Sequence, residues 1–313
     1  MTVLEVENLK KIYRPRFGGN QVQALSKVTF SVEEGEYVAI MGESGSGKTT
    51  LLNMLAALDK PTEGEVYLDG KPLSAIREKD LSKFRRDHLG FVFQDFNLLD
   101  TFNLKDNILL PLVLQGVDYR KMNVRMMPIV KELGIAGLLE KYPYEVSGGQ
   151  KQRISIARAL AVSPEFVVCD EAVSALDVSI QAQVVNMFEE LQEKLGVAYL
   201  FIAHDLLVVH HISDRIAVMY LGKMMEIADA DELNANPIHP YTLSLLSAVP
   251  IPDPETARKS HRIVLEGDVP SPLKMPTGCP FRTRCKYATE KCGQEMPQLT
   301  DRGNGHMVAC WNK

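Results

Sequence analysis

Eight consecutive residues predict the architecture of this chain: Gly42-Glu43-Ser44-Gly45-Ser46-Gly47-Lys48-Thr49. They fit the phosphate-binding loop pattern, in which glycines, a lysine and a threonine stand at fixed positions. An apolar run at residues 36–41 predicts a buried strand before the loop, and leucines at helical spacing over residues 50–58 predict a helix after it. Glycines let backbone N–H groups surround a phosphate, and a helix N-terminus favours negative charge. The order strand, loop, helix therefore predicts an α/β fold with a nucleotide-phosphate site.

The loop residues have separate expected roles. Lys48 is expected to reach the β- and γ-phosphates, and Thr49 to place its hydroxyl on Mg²⁺. The other candidate nucleotide contacts in this segment are Gly42, Ser44, Gly45, Ser46, Gly47 and Thr50.

Two further motifs follow the loop. Ser147-Gly148-Gly149-Gln150 precedes an apolar helix, and Asp170-Glu171 ends a short apolar run that predicts a buried strand. Asp170 can hold the water shell of Mg²⁺ while Glu171 polarises an attacking water. Alone, the first motif is compatible with a helix cap and the second with a surface pair. In this order after a phosphate loop, they predict nucleotide hydrolysis.

Together these motifs resemble those of the ATP-binding cassette (ABC) family, the nucleotide-driven motors of membrane transporters. The resemblance covers most of residues 1–230 and implies an ABC-type P-loop NTPase with a β-rich edge subdomain and a helical subdomain over about residues 95–146. It also implies roles for four more residues. Tyr13 would stack on adenine, Gln94 would touch Mg²⁺, Asp177 would lie in the loop that crosses the dimer interface, and His204 would contact the γ-phosphate.

The same resemblance implies the partners. In this family the Ser147 motif completes the site of the opposite subunit, so a second nucleotide-binding domain, from an identical or a different chain, is expected. Transmembrane permease subunits are the other implied partners, reached through the helical subdomain. The expected location is cytoplasmic and peripheral, on the cytoplasmic face of the cell membrane.

Bulk properties limit the alternatives. The chain has 313 residues, 45% of them hydrophobic, which is enough for a large α/β domain and a smaller one. A net charge of −5 gives no general attraction to nucleic acid. The first residues lack a secretion-signal pattern, and no stretch has the roughly 20 apolar residues of a membrane span. Any membrane role is therefore expected to depend on a partner.

The last part of the sequence concentrates cysteine. Four of the five lie together there, namely Cys279, Cys285, Cys292 and Cys310. Disulfides are disfavoured without an export signal. An iron–sulfur cluster and a structural zinc site both remain open, because thiolates bind both metals. Cys169 stands inside an apolar strand and is interpreted as a core residue.

A second resemblance concerns residues 231–313. The segment Asn236-Pro237-Ile238-His239-Pro240-Tyr241-Thr242 and the cysteine array look like the C-terminal extension of oligopeptide and dipeptide permease ATPases. Some of those extensions carry a four-iron cluster, which favours iron–sulfur over zinc. Since no motif residue lies beyond His204, the extension is expected to be separable from the nucleotide site.

The two halves point to different subfamilies. Residues 1 to about 150 resemble the ATPases of lipoprotein-release and bacitracin-resistance exporters, whereas residues from about 154 on resemble peptide-importer ATPases. A mosaic and a single divergent lineage are both open. The favoured function is the ATP-hydrolysing subunit of an oligopeptide or dipeptide importer. The alternatives are an exporter-type ATPase, a soluble cassette ATPase, and a mosaic without a productive membrane partner.

Overall fold

A computed structural model describes residues 1–14, 20–203, 205–249 and 262–312. Its strands are β1 Thr2–Tyr13, β2 Val22–Glu33, β3 Tyr37–Met41, β4 Glu63–Leu68, β5 Lys71–Pro72, β6 Leu89–Phe93, β7 Phe166–Asp170, β8 Ala198–Ile202, β9 Arg215–Tyr220, β10 Lys223–Asp229, β11 Thr300–Asp301 and β12 Met307–Val308. Its α-helices are α1 Lys48–Leu55, α2 Glu78–His88, α3 Leu104–Leu114, α4 Tyr119–Glu132, α5 Gly148–Leu160, α6 Val178–Leu195, α7 Leu206–Ile212, α8 Ala230–Ala235, α9 Pro240–Ser247 and α10 Glu290–Gln294. The chain has the predicted α/β architecture.

The strands form two sheets. One is antiparallel, in the order β2-β1-β4-β5, and the other runs β11-β12-β10-β9-β3-β8-β7-β6. Strands β9, β3, β8, β7 and β6 pair in parallel, so their carboxyl ends meet at one edge. Ligands of open α/β sheets bind outside this edge. The predicted phosphate loop follows β3 and the predicted carboxylates end β7, which brings the two motifs to the same edge.

The central strand β3 is buried on both faces because its side chains alternate between two cores. Tyr37, Ala39 and Met41 pack on the side that holds α3, α4, α5 and α6. Val38 and Ile40 pack on the other side with α1 and the antiparallel sheet. The strand is fully buried along its length, as expected for a parallel strand covered on both faces. Because β3 is paired on both sides by β8 and β9, the start of the phosphate loop is anchored inside the sheet.

Several local predictions are confirmed. The strand expected before the phosphate loop is β3, and the helix expected after it is α1, which ends three residues earlier than residue 58. Helices α3 and α4 occupy the region expected to be helical.

The C-terminal extension is built into the main sheet and core. Strand β12 pairs antiparallel with β10 and extends the eight-stranded sheet. Tyr241 and Phe281 are almost completely buried in the larger core. Across the described ranges, no helix combines the length and apolar character that a membrane crossing requires.

Candidate nucleotide-binding site

The phosphate loop needs glycine at two positions where other backbone comes close. At Gly42, which has a φ of 156°, an added Cβ would lie 2.1 Å from the carbonyl oxygen of Met219. At Gly47, with a φ of 104°, it would lie 2.8 Å from the carbonyl oxygen of Ala24. Gly47 is also the N-cap of α1. At these two positions the neighbouring backbone leaves no space for a side chain, so the loop requires glycine there.

Lys48 is held by the loop that it follows. Its Nζ donates to the carbonyl oxygens of Gly42 at 2.7 Å and Glu43 at 3.1 Å. Burial lowers the pKa of Lys48, while the nearby charges of Glu171 and Asp170 oppose that shift. The ammonium is thus partly desolvated and faces two carboxylates across the cleft. A cation in such surroundings interacts strongly with a phosphate.

The two carboxylates lie where the strands end. Asp170 is the last residue of β7, and burial together with the like charge of Glu171 raises the pKa of Asp170, against the effect of Lys48. Glu171 follows with a φ of 48°, and its amide donates to the carbonyl oxygen of Ile202 at 2.8 Å. This left-handed backbone turns Glu171 away from the strand direction. Two crowded carboxylates favour a divalent cation, which would relieve their repulsion.

The loop and the carboxylates share one cleft of about 500 Å³. The residues predicted from the sequence that line this cleft are Gly42, Ser44, Gly45, Gly47, Lys48, Thr49, Thr50, Asp170 and Glu171. Ser46 is a buried residue of the loop, and its carbonyl oxygen accepts from the amide of Gly222. The structure thus brings together the phosphate, magnesium and water-activating candidates.

Tyr13 lies beside this cleft and outside its lining. The ring is 39% exposed, and its hydroxyl donates to Asp59 at 3.1 Å. The Lys11 ammonium lies 4.9 Å from the ring centroid. One ring face is therefore next to a cation, and the predicted adenine contact stays a prediction.

Gln94 and His204 are the two remaining candidates for contacts near the γ-phosphate. Gln94 follows β6, in which Phe93 pairs with Asp170, so it lies at the correct sheet edge. It is exposed and outside the lining of the cleft. His204 lies outside the described residues. The predicted roles of both residues therefore stay predictions.

The remaining nucleotide candidates lie away from the cleft of this chain. Ser147 caps α5, with its Oγ accepting from the amide of Gln150 and the Gln150 side chain accepting from the amide of Ser147. Gly148 is exposed, and Gly149 packs so closely that an added Cβ would lie 2.6 Å from Ile180. Asp177 is exposed at the start of α6. This placement fits a motif that serves another subunit.

The four clustered cysteines converge on one cavity of about 10 Å³. Burial raises the pKa of Cys279 to about 11 and also raises that of Cys285. For Cys292, burial acts in the same direction, but hydrogen bonds with Thr289 and Asn312 bring its pKa below the ordinary value. The space accommodates about one water-sized particle. It does not accommodate a four-iron cluster in this arrangement.

The side-chain geometry does not support the predicted metal site, which stays a prediction. Within the ranges that the structure describes, which include all four cysteines, no group of three or more His, Cys, Asp or Glu side chains is positioned to hold a metal ion. The cysteines lie near one another, but the apolar side chains of Phe281 and Trp311 also line their cavity. Cys169 is a buried core residue, as expected.

Sequence reasoning missed the residues that the extension contributes. Pro272 and Met275 line the cleft, and Tyr241 and Arg284 contact Glu43 of the phosphate loop. The extension therefore contacts the phosphate loop, and its separability from the nucleotide site stays a prediction. No motif could have indicated these contacts, because they join segments about 200 residues apart.

Comparisons with known proteins agree with this site. The family model described as ABC transporter matches residues 25–174, and the model described as oligopeptide/dipeptide transporter, C-terminal region, matches residues 225–292. The ATP-binding cassette MJ0796, solved as a dimer bound to ADP and Pi, is 34% identical, with a TM-score of 0.65 over 72% of this chain and 98% of that one. For cbiO1 of Clostridium perfringens, part of the ABC transporter complex cbiONQ, the identity is 28% and the TM-score 0.68, over 75% of this chain and 91% of that one.

Two relatives from Bacillus subtilis (strain 168) match almost the whole chain. YkfD is 47% identical over 99% of this chain and 95% of its own length. The oligopeptide transport ATP-binding protein AppF is 45% identical over 99% of this chain and 97% of its own length. This similarity includes the half interpreted as exporter-like, so the mosaic alternative is not confirmed. The chain belongs to the ABC transporter ATPases, in the group that carries the C-terminal region of oligopeptide/dipeptide transporters.

Proposed function

We propose that this chain is the ATP-hydrolysing subunit of a transporter that imports oligopeptides or dipeptides. The observation that carries the proposal is the meeting of Lys48, Asp170 and Glu171 in one cleft at the carboxyl edge of the parallel sheet. The likeness to AppF over nearly the full length supports the peptide class of cargo. The division into a nucleotide-binding domain over residues 1–230 and an extension over residues 231–313 is part of the same proposal.

The lining of the cleft supports separate roles in hydrolysis. Lys48 would bind the β- and γ-phosphates through its partly desolvated ammonium. Thr49 and Asp170 would hold Mg²⁺, with Gln94 beside them, and the ion would supply charge neutralisation for the phosphates. Glu171 would accept a proton from the attacking water, whose oxygen forms the new bond to the γ-phosphorus as the bond to ADP breaks. His204 would contact the γ-phosphate.

A dimer would complete the site. Ser147, Gly148 and Asp177 are exposed on the surface of this chain instead of lining its own cleft. An exposed glycine at a helix N-terminus, such as Gly148, suits an approaching phosphate. The solved dimers of the MJ0796 cassette, at 34% identity, support the same assembly. The partner would be a second copy of this chain or a related nucleotide-binding domain.

Membrane subunits would dock on the helical region. Helices α3 and α4 expose large apolar side chains, namely Val113, Leu114, Tyr119 and Val124. Apolar groups concentrated on one region of a surface are typical of a protein interface. This surface would hold the chain peripherally on the cytoplasmic face of the membrane, through transmembrane permease subunits.

The test is ATP turnover by the chain reconstituted with peptide-importer permease subunits in vesicles. We expect turnover to rise when the permease and a peptide-loaded binding protein are both present. Lys48→Ala should abolish turnover in every condition and serves as the control. If ATP turnover is the same with and without the permease, the transport role is contradicted, but the assignment of ATP hydrolysis is not.

For the extension we propose a metal-binding role for Cys279, Cys285, Cys292 and Cys310. Its support is the convergence of all four thiols on one cavity. The size of that cavity favours a single ion such as Zn²⁺, whereas the resemblance to permease extensions favours an iron–sulfur cluster. Binding of either would require the thiols to rearrange into a ligand geometry. Metal analysis of anaerobically purified protein separates the two.

A further inference from the structure

The extension contacts the phosphate loop at Glu43, the second residue of that loop. The amide of Glu43 donates to the Tyr241 hydroxyl at 2.9 Å. Its carboxylate accepts from the Arg284 guanidinium at 3.0 and 3.3 Å. The Arg284 side chain is only 11% exposed, so this ion pair is screened less by water than a surface pair is. Tyr241 and Arg284 therefore both hold Glu43, although they follow it by 198 and 241 positions in the sequence.

The same residue holds the lysine that would bind phosphate. The carbonyl oxygen of Glu43 accepts from the Lys48 Nζ at 3.1 Å and from the amide of Ser46 at 3.1 Å. The amide, the carboxylate and the carbonyl of Glu43 are therefore all engaged. A shift of Glu43 would displace an anchor of Lys48 and change the turn of the loop.

Aromatic packing between β9 and the extension supports Tyr241 and Arg284. The Tyr241 ring centroid lies 4.7 Å from that of Tyr220 and 5.4 Å from that of Phe281, and all three rings are almost fully buried. The amide of Arg284 donates to the carbonyl oxygen of Phe281 at 3.0 Å. Cys279 and Cys285 flank this short segment in sequence. The Tyr241 hydroxyl therefore reaches Glu43 from a buried cluster of rings, and the backbone of Arg284 is hydrogen-bonded to Phe281 of the same cluster.

We propose that Tyr241 and Arg284 are positioning residues for the nucleotide site, which hold Glu43 so that the phosphate loop and Lys48 are preorganised for ATP. The inference deepens the proposed function and rests on the nucleotide site assigned there. Neither residue touches the reacting atoms. Since a preorganised loop loses less freedom when ligand binds, the effect falls on ATP affinity more than on turnover.

The main test measures ATP dissociation constants of the full-length chain and three variants: Arg284→Gln, Glu43→Gln and the double variant. Removing the charged hydrogen bonds should weaken ATP binding about tenfold in Arg284→Gln. The double variant should bind no more weakly than the weaker single variant, because both changes remove the same ion pair. Wild-type affinity in Arg284→Gln, or fully multiplicative effects in the double variant, would overturn the proposal.

Conservative variants keep the test independent of folding. Arg284→Lys retains the charge and should recover part of the affinity. Tyr241→Phe retains the ring and should raise the KM for ATP roughly threefold to tenfold, with a smaller change in kcat. An unchanged KM in Tyr241→Phe would contradict its positioning role.

Arg282→Gln is the matched control, because Arg282 lies in the same segment and its side chain, among the residues that the structure describes, hydrogen-bonds to Thr277 and not to the phosphate loop. It should bind ATP as the wild type does. Lys48→Ala distinguishes a failure of the nucleotide site from a failure of the positioning role. If Lys48→Ala retains wild-type affinity, the proposed nucleotide site fails. If it loses binding while Arg284→Gln does not, only the role of the extension fails.

Discussion

The amide of Glu171 donates to the carbonyl oxygen of Ile202 at 2.8 Å, so the backbone of Glu171 is fixed between the ends of two parallel strands. This bond does not involve the carboxylate. Glu171→Gln should therefore retain the backbone position, the side-chain shape and ATP binding. Because an amide is a poor proton acceptor, we expect ATP turnover to fall on the order of 10²–10⁴-fold.

Steady-state ATPase rates and ATP binding by the same preparation check this prediction. The variant should also accumulate as an ATP-bound dimer in size-exclusion chromatography. Glu165→Gln is a suitable control, because Glu165 pairs with His88 at the opposite end of the strand. Near-normal turnover of Glu171→Gln would remove Glu171 from its proposed role.

Lys48→Ala should behave differently, because it removes a charge that is expected to contact the phosphates. We expect ATP affinity to fall by about tenfold to 100-fold, the range for a lost hydrogen bond to a charged group. A fluorescent ATP analogue measures this loss directly. Lys194→Ala removes a surface lysine that pairs with Glu132 and should leave affinity unchanged, whereas an equal loss in both variants would indicate a nonspecific effect.

His239 should make the stability of the fold depend on pH. Burial lowers the pKa of His239 to about 3 from 6.5, so the unfolded chain binds the proton first as the pH falls. Above pH 6.5 the imidazole is neutral in both states and the free energy of unfolding is not reduced. As the pH falls from 6.5 towards 3, protonation of the unfolded chain lowers the free energy of unfolding. At pH 5 the loss is about 2 kcal/mol.

Urea denaturation at pH 7 and pH 5 measures this loss. In the wild type, His239 Nδ1 accepts from the amide of Tyr241 at the start of α9. His239→Asn keeps a side chain that can accept this bond but does not titrate in the range. The variant should show a smaller pH dependence of its free energy of unfolding, and an identical dependence would refute the assignment.

Metal content tests the cysteine cavity. Anaerobically purified protein should contain about four irons and be brown if a cluster binds, or about one zinc if a single ion binds. Cys292→Ser should lower the metal content, whereas Cys169→Ser, in the buried strand β7, should not. Four free thiols with neither metal would overturn the proposal.

Sequence reasoning recovered the parts of the fold that short-range pattern determines. The phosphate loop needs glycines at fixed spacing between a strand and a helix, so β3 and α1 could be predicted within a few residues. In each case apolar periodicity and the flanking residues point to the same local structure.

The contacts of the extension could not be predicted in the same way. Nothing near Arg284 in the sequence indicates that its partner is Glu43, because the pairing depends on how α9 and the cysteine segment pack against the sheet. The exposure of Gln94 and the position of Tyr13 outside the cleft likewise depend on tertiary placement. Spacing assigns residues to a motif, but packing decides what they contact.

The pairing of β10 with β12 has a consequence for how the molecule folds. Glu226 pairs with Val308, so β10 finds this neighbour roughly 80 residues later in the chain. A sheet completed by so distant a segment closes late, since loop closure over long separations slows folding. During synthesis, β10 would remain an open edge that other chains can pair with. Shortened forms that lack residues 300–308 should therefore aggregate during expression, even though every residue of the phosphate loop is present.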